Sequence, residues 1–218
     1  MLKSFIMERP LLFGYYLTHR ALRKDVERLK FVTGRFAAYN QRDWKKVMQW
    51  FSYHAQMVHH HHEGEDTFFF PIIRQRAPGF APELQQMDDE HKALDRFEEK
   101  LSMMLNSLGN STQIAAADFN NLALAYGRLV ISHLDAEENV VGRAINQEFK
   151  REEVIEAEDR YTRMMPPERL RLSLPWLADV MTKEERNMFF SVLPFYVKWI
   201  YLWRLKPQFD RMVKCVGS

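Results

Sequence analysis

The sequence predicts an all-α protein, an up-down four-helix bundle with a C-terminal helical appendage. Through every long segment, apolar residues recur at alternating spacings of three and four, the period of one helical face, and none shows the sustained alternation of a strand. Glycine and proline number only 8 and 9 among 218 residues, and they cluster near residues 76–82, 109–110 and 165–168. Long uninterrupted segments joined by short loops are typical of a helical bundle.

The length and composition predict one main domain with an extension. A chain of 218 residues exceeds a typical domain but is too short for two, and its 46% hydrophobic and 28% charged residues are usual for a globular protein with a sizeable core. We assign the bundle to residues 1–150 and the helical extension to residues 151–218, and we expect the extension to pack on the bundle.

The first two helices are bounded by residues with clear positional preferences. Pro10 is tolerated at a helix start, and Asp43 is a favoured N-cap for the second helix. We expect the second helix to end at Pro71, which lacks a backbone donor. The inward stripe of the first helix contains His19, Leu22, Val26 and Leu29. The stripe of the second contains Trp44, Val47, Phe51, His54, Val58, His61, Glu65 and Phe68.

The third and fourth helices show the same periodicity after Pro82 and after the break at Gly109 and Asn110. The stripe of the third helix contains Leu84, Met87, His91, Leu94, Leu101 and Leu105. The stripe of the fourth contains Phe119, Leu122, Tyr126, Leu129, His133, Glu137, Val140 and Ala144.

The extension carries a helix start signal followed by an aromatic-rich segment. Thr182 and Glu185 have the spacing of a capping box, and the predicted helix runs from Met188 to Leu205, before Pro207. Its large apolar side chains are predicted to pack on the bundle, although a homodimer contact or another partner protein could use the same surface. These side chains are Phe189, Phe190, Phe195, Trp199 and Trp203.

The chain contains an internal repeat with a shift of 72 residues. The shift aligns HRALRKDVERL, residues 19–29, with HKALDRFEEKL, residues 91–101. It also places His61 on His133 and Glu65 on Glu137. Four histidines and two glutamates therefore share one register.

The run HHHHEGED offers several histidine and carboxylate pairs one helical turn apart, and spacing alone does not choose between them. Only His61 with Glu65 aligns with a second such pair, and this pair also lies on the apolar stripe. We expect the neighbouring His59, His60 and His62 to be solvated, or at most to hydrogen-bond a metal ligand.

A histidine and a glutamate four residues apart lie on one helical face and can bind one metal ion or two adjacent ions. An ionised carboxylate buried without a cation costs several kcal/mol, so Glu65 and Glu137 need a positive charge beside them. Six nitrogen and oxygen ligands exceed a tetrahedral zinc site and suit two bridged iron ions. We predict an oxo- or hydroxo-bridged di-iron centre held by His19, His61, Glu65, His91, His133 and Glu137.

Two further residues are candidates for additional metal ligands. His54 and Tyr126 correspond under the same 72-residue shift, and each precedes a predicted ligand, His61 or His133, by two helical turns. Iron fits the ligand types best, and manganese or zinc is the less favoured ion.

The repeated pattern of His and His-x-x-x-Glu on four helices resembles the hemerythrin-like family, also called the HHE cation-binding domain. The resemblance covers about residues 10–150, and LPWL and KEERNMFFSVLPF resemble the C-terminal tails of bacterial, especially actinobacterial, members. It implies a di-iron site that binds O2 or related small ligands. The chain departs from the invertebrate oxygen carriers at Asp95, where these proteins complete a His-x-x-x-His pair.

The resemblance and the charge of such a centre lead to our functional hypothesis. Two ferric ions, one oxo bridge and two glutamates leave a net positive charge, which favours small ligands such as hydrogen peroxide, azide, NO and O2. We expect redox handling of hydrogen peroxide or NO, with a catalase-like or peroxidase-like activity as the enzymatic form. The alternative is a module that senses or stores O2 or iron without turnover.

Composition argues against other classes of protein. Lysine and arginine total 31 against 29 acidic residues, so the chain lacks the large positive charge that binding to nucleic acid requires. The single cysteine, Cys215, excludes a disulfide framework. Residues 1–9 do not resemble a signal peptide, and no apolar run is long enough to span a bilayer, so we expect a cytoplasmic protein.

Overall fold

A computed structural model describes residues 10–110 and 114–217, and the expectation about residues 1–9 lies outside these ranges. The described residues form helices and connecting turns, with no strand among them, which confirms the all-α class. The bundle consists of four long helices and one short helix: α1 (Phe13–Gly34), α2 (Gln41–Gly64), α3 (Phe70–Arg76), α4 (Ala81–Gly109) and α5 (Ala116–Glu148).

The helix directions follow from two layers of contacting side chains inside the bundle. One layer contains His19, His61, His91 and His133. The other contains Asp25, His54, Glu98 and Tyr126. From the first layer to the second, residue numbers rise in α1 and α4 and fall in α2 and α5. Consecutive long helices are therefore antiparallel, as the up-down topology requires.

The start of α2 shows a small difference from the sequence prediction. Asn40 is the N-cap, and its side chain accepts a hydrogen bond of 3.0 Å from the backbone N–H of Asp43. The Asp43 carboxylate in turn accepts from the Asn40 backbone, which completes a capping box. Asp43 thus occupies the third helical position, where its charge favours the positive end of the helix dipole.

Two prolines that were predicted to end helices do not end them. A π-helical turn spans Glu65–Phe69, and the chain continues through Pro71 into α3. A second π-helical turn spans Tyr201–Leu205 and leads through Pro207 into α10 (Lys206–Val213). In both places the wider turn changes the hydrogen-bond register, so the proline falls in the first turn of the next helix, where no backbone donor is needed.

The C-terminal extension contains α6 (Arg151–Met164), α7 (Pro167–Ala178), α8 (Lys183–Val192), α9 (Phe195–Ile200) and α10. The predicted capping box is present at Thr182, whose hydroxyl accepts from the Glu185 N–H at 3.1 Å. The single helix predicted for Met188–Leu205 is instead interrupted at Pro194, because Leu193 before it has extended backbone angles.

The extension packs on the bundle. Trp176, Phe209 and Val213 belong to the same buried cluster as core residues of α1, α2, α4 and α5. Trp176 also donates a 2.8 Å hydrogen bond to the buried carboxylate of Asp25 in α1. Arg28 links Asp25 to Asp179 with two bonds of 2.8 Å. The division at residue 150 stays a prediction, since the core is continuous across it.

The α9 helix and the following π-helical turn leave aromatic side chains exposed. Phe195, Trp199 and Trp203 are 79%, 59% and 75% exposed, and the two tryptophan rings stack with centroids 5.9 Å apart. Phe190 nearby is buried against Tyr201. The packing expected of this segment is thus only partial, and the homodimer contact stays a prediction. No helix described between residues 10 and 217 has the length and apolar character needed to cross a membrane.

Replacing Asp25 with asparagine tests the link between the extension and the bundle. Burial raises the pKa of Asp25, but His54 and Arg28 outweigh this effect and hold that pKa below its usual value. Asp25→Asn removes one of the two carboxylates that contact the buried Arg28 guanidinium and also the carboxylate beside His54, and we expect the free energy of unfolding to fall by about 3 kcal/mol at pH 7.

The matched control is Glu27→Gln in the same helix, which removes an exposed ion pair with Lys30 and should change stability by less than about 0.5 kcal/mol. Because the folded-state pKa of Asp25 lies below its value in the unfolded chain, its contribution should be complete well above about pH 4 and should be lost as the pH falls further, through the folded-state pKa. Urea unfolding at several pH values measures both effects, and equal losses in the two variants would contradict this account.

Candidate metal centre

The six predicted ligands come together inside the bundle. His19, His61, Glu65 and Glu137 offer ligand atoms that lie within 4.8 Å of one another, and His62, His91 and His133 form a second such group. The first group joins α1, α2, the π-helical turn and α5, while the second joins α2, α4 and α5. Each long helix therefore contributes at least one side chain.

The two glutamates belong to the first group and also approach histidines of the second. Oε2 of Glu137 is 3.5 Å from Nε2 of His19 and 3.6 Å from Nε2 of His133, which belong to different groups. Glu65 likewise lies 3.2 Å from Nδ1 of His61 and 3.6 Å from Nε2 of His91. Each carboxylate can thus reach cations on both sides.

Carboxylates outside the cluster hold three of the imidazole rings. Nδ1 of His19 donates to Glu138 at 2.9 Å, and Nδ1 of His133 donates to Glu90 at 2.8 Å. Nδ1 of His91 donates to Asp66 at 3.1 Å. A carboxylate on one ring nitrogen fixes the tautomer and leaves the other nitrogen as a free base, the arrangement usual for histidines that bind metals.

The atoms that point into the centre have no hydrogen-bond partner among the described residues. They are Nε2 of His19, His61, His91 and His133 and both carboxylate oxygens of Glu65 and Glu137. An unpaired buried polar atom costs about 1–3 kcal/mol, so eight such atoms facing one volume would be very unfavourable in a merely structural cluster. Metal cations would satisfy all of them, and nitrogen and oxygen donors of this kind fit iron.

The pKa shifts of the buried side chains favour the binding of cations. Burial and the neighbouring imidazoles lower the pKa of His61 and of His62, so both rings are neutral bases at physiological pH. Burial and the nearby Glu137 raise the pKa of Glu65. A metal ion opposes the rise in the Glu65 pKa by favouring the ionised carboxylate, so metal binding releases a proton.

His62 was expected to be solvated, and the structure places it inside the bundle instead. It is buried, and its ring stacks on that of His91 with centroids 3.8 Å apart. His62 lies about 100° around α2 from His61 and thereby faces α4. It brings a third imidazole to the second group, to which α4 contributes only His91 among the described residues, since Asp95 stands four residues after His91. Sequence periodicity could not identify it, because its counterpart in the repeat is Leu134.

Two histidines of the HHHHEGED run, His59 and His60, point away from the centre. His59 is exposed, and His60 faces Glu63 and a cavity of about 590 Å³ on the outer side of α2. Tyr161 and Arg169 of the extension form the opposite wall of that cavity.

His54 and Tyr126 lie in neither group of candidate ligands. Nδ1 of His54 is bonded to Asp25 at 3.1 Å, and its Nε2 is bonded to the Tyr126 hydroxyl at 2.7 Å. Tyr126 donates to Glu98 at 2.7 Å. Both ring nitrogens of His54 are thus already engaged by side chains two helical turns from the centre.

A different tyrosine borders the centre. The ring of Tyr15 lies 4.1 Å from that of His19, centroid to centroid, and its buried hydroxyl has no partner among the described residues. Burial, Glu137 and Glu65 all raise the pKa of Tyr15, so the phenol is neutral. Sequence analysis did not identify Tyr15, which precedes His19 by one turn on the same helical face.

Comparison with known proteins agrees with this geometry. The family model of the hemerythrin HHE cation binding domain matches residues 15–145, which is more than half of the chain. The match begins in α1 and ends in α5, so it includes every side chain of both groups. No curated protein and no solved structure matches the chain significantly.

The outer carboxylates give a prediction for metal affinity. Glu90→Gln should leave the fold intact but weaken the control of the His133 tautomer, and we expect Fe²⁺ affinity to fall about 10- to 100-fold. The control is Glu83→Gln in the same helix, where the side chain pairs with Arg143 on the surface. Competition with a chromophoric chelator measures both, and unchanged affinity in Glu90→Gln would contradict the role of the outer carboxylates.

Proposed function

Since the chain belongs to the hemerythrin HHE cation-binding domain family, we propose that it holds two iron ions inside the bundle and uses them for redox handling of hydrogen peroxide or NO. Binding of metal cations follows from the family itself. The observation that supports two ions is the division of the ligand atoms into two groups, with both glutamates of the first group also close to histidines of the second.

We assign the ligands by their positions. His19 and His61 would supply imidazoles to one ion, and His62, His91 and His133 would supply imidazoles to the other. Glu65 and Glu137 would supply carboxylate oxygens to the centre. Seven ligands for two ions leave coordination positions that a small exogenous molecule can occupy. His54 and Tyr126 are not included, because their polar atoms are bonded elsewhere.

When bound, such an iron pair supplies two-electron redox chemistry and polarises a small oxygen or nitrogen ligand. The protein keeps the ligands fixed, because the outer carboxylates orient three imidazoles. It also limits access by packing Tyr15 against His19 and Phe70 against His91. Bulky organic substrates are therefore disfavoured, whereas peroxide, NO, azide and O2 are small enough.

The Tyr15 hydroxyl is well placed to donate a hydrogen bond to a small molecule bound at the centre. Its pKa is raised, so it remains a hydrogen-bond donor, and its buried oxygen has no partner among the described residues. A bound peroxide or azide would accept this hydrogen bond.

Iron content tests the ligand assignment. Freshly purified protein should contain about two iron atoms per chain, because two groups of ligands are present. His61→Ala removes an imidazole that lies beside both glutamates, and we expect this variant to lose both iron atoms. His62→Ala should contain fewer than two iron atoms per chain. The matched control, His59→Ala in the same run, should keep the full content. Equal iron in all three variants, by elemental analysis, would refute the assignment.

Reaction with peroxide and O2 tests the redox function. Hydrogen peroxide should change the near-ultraviolet absorption of the iron-loaded protein and be decomposed over many turnovers. The alternative, a module that senses or stores O2 or iron, predicts a long-lived adduct with O2 in stopped-flow mixing and no turnover of peroxide. Iron-loaded protein inert towards peroxide and NO would rule out the redox proposal.

A further inference from the structure

A second polar layer lies inside the bundle, apart from the candidate metal ligands. It consists of Asp25, His54, Glu98 and Tyr126, one residue from each long helix, and all are buried. His54, Glu98 and Tyr126 are each seven residues from a histidine of the metal centre, which corresponds to about 10 Å along the helix axes. The proposed iron chemistry uses none of these side chains.

The four side chains form a continuous chain of hydrogen bonds. Asp25 is bonded to Nδ1 of His54 at 3.1 Å, and Nε2 of His54 is bonded to the Tyr126 oxygen at 2.7 Å. The Tyr126 hydroxyl then donates to Oε1 of Glu98 at 2.7 Å. Arg28 places a positive charge beside Asp25 at the other end of this chain of hydrogen bonds.

Tyr126 differs from the partly buried Tyr53 in the group that accepts its hydrogen bond. Tyr53 donates to the backbone carbonyl of Leu172 at 2.6 Å, and a carbonyl cannot take a proton away. Glu98 is a carboxylate, and burial raises its pKa to about 7, so it can accept and hold a proton near neutral pH. His54 can meanwhile hydrogen-bond the phenolic oxygen after the proton has moved.

Oxidation of a buried phenol requires a base at hydrogen-bond distance that can accept the phenolic proton. Burial raises the pKa of Tyr126 well above its ordinary value, so the phenolate is not accessible before oxidation. After one electron leaves, the phenol becomes a strong acid and must pass its proton to an adjacent base. An electron can tunnel about 10 Å between helix layers, but a proton needs an acceptor at hydrogen-bond distance, and Glu98 is at that distance.

We propose that Tyr126 is a redox-active residue that gives one electron toward the metal centre while its proton moves to Glu98. The proposal rests on the proposed iron-dependent reduction of peroxide. Reduction of hydrogen peroxide breaks the O–O bond and consumes two electrons and two protons to give two waters. Tyr126 would supply one of these electrons, a centre that holds one ferrous and one ferric ion would supply the other and become diferric, and solvent would supply both protons.

The products of this step are a neutral tyrosyl radical at Tyr126 and a protonated Glu98, with both iron ions ferric. One electron from an external one-electron donor, with return of the proton from Glu98, restores the Tyr126 phenol, and a second electron from the same donor returns the iron pair to its starting state. The buried position separates the radical from solvent.

Electron paramagnetic resonance tests the proposal directly. Iron-loaded protein poised with one ferrous and one ferric ion is mixed with one equivalent of hydrogen peroxide and rapidly frozen. We expect an organic radical signal whose hyperfine splitting collapses when the protein contains ring-deuterated tyrosine. Tyr126→Phe, which preserves the ring, should abolish the signal, and the matched control Tyr53→Phe should retain it. Iron content and circular dichroism establish that each variant is folded and loaded.

Glu98→Gln tests the proton acceptor separately, because glutamine can accept the hydrogen bond but not the proton. Radical formation should slow by about 100-fold while iron content is unchanged. A Glu98→Gln variant that forms the radical at the wild-type rate would overturn the role of Glu98, and a purely structural network would give that result. The effect remains measurable even where Tyr126→Phe is unstable.

The outcomes distinguish this proposal from the proposed function. Peroxide reduction by wild-type protein without a tyrosyl signal, or a signal that persists in Tyr126→Phe, overturns the redox role of Tyr126 and leaves the iron chemistry intact. Failure of iron-loaded wild-type protein to reduce peroxide overturns both.

Discussion

The structure depends on two carboxylates placed in an apolar interior. Glu65 and Glu137 are almost fully buried, and their oxygens have no hydrogen-bond partner among the described residues. Such groups are tolerated only beside cations. The surrounding residues are arranged accordingly, because burial lowers the pKa of His61 and His62 while Glu90, Asp66 and Glu138 orient three other imidazoles from outside. The centre of the bundle is therefore a polar layer, and apolar clusters pack the other levels.

The bundle contains a second polar layer and a C-terminal segment that completes it. Asp25 accepts hydrogen bonds from His54, Arg28 and Trp176, so one buried carboxylate joins α1, α2 and α7. Trp176 and Phe209 enter the same apolar cluster as the bundle residues. The extension thus closes the interior at this level, and it helps to exclude water from the Tyr126 side chain. The apolar residues at this level keep the polar network buried. In a buried network, loss of one hydrogen-bonding partner leaves a charge without compensation, which lowers the stability of the protein.

Much of the fold can be predicted from the periodic spacing of apolar residues. The main errors in the predicted helix ends concern prolines. The apolar stripes gave the four helices and their approximate ends, because the 3.6-residue period is a local property. Pro71 and Pro207 were expected to stop helices, but each follows a π-helical turn that accommodates it. A π-helical turn has no distinct sequence signature, since its extra residue is stabilised by packing against other elements. Pro194 does interrupt a helix, although it was not identified as a break.

The sequence by itself determined the family, the helical class and the shared register of His19, His61, Glu65, His91, His133 and Glu137, because a repeat of 72 residues preserves which face of a helix a side chain occupies. Only the tertiary structure decided the roles of other residues on and beside the inward stripes. His62 turns inward, and Tyr15 borders the centre. His54 and Tyr126 bond to each other rather than join the candidate ligand groups. The reason is geometric: periodicity defines a face to within about 100°, whereas the rotation of each helix against its neighbours decides which side chains at the edge of that face meet.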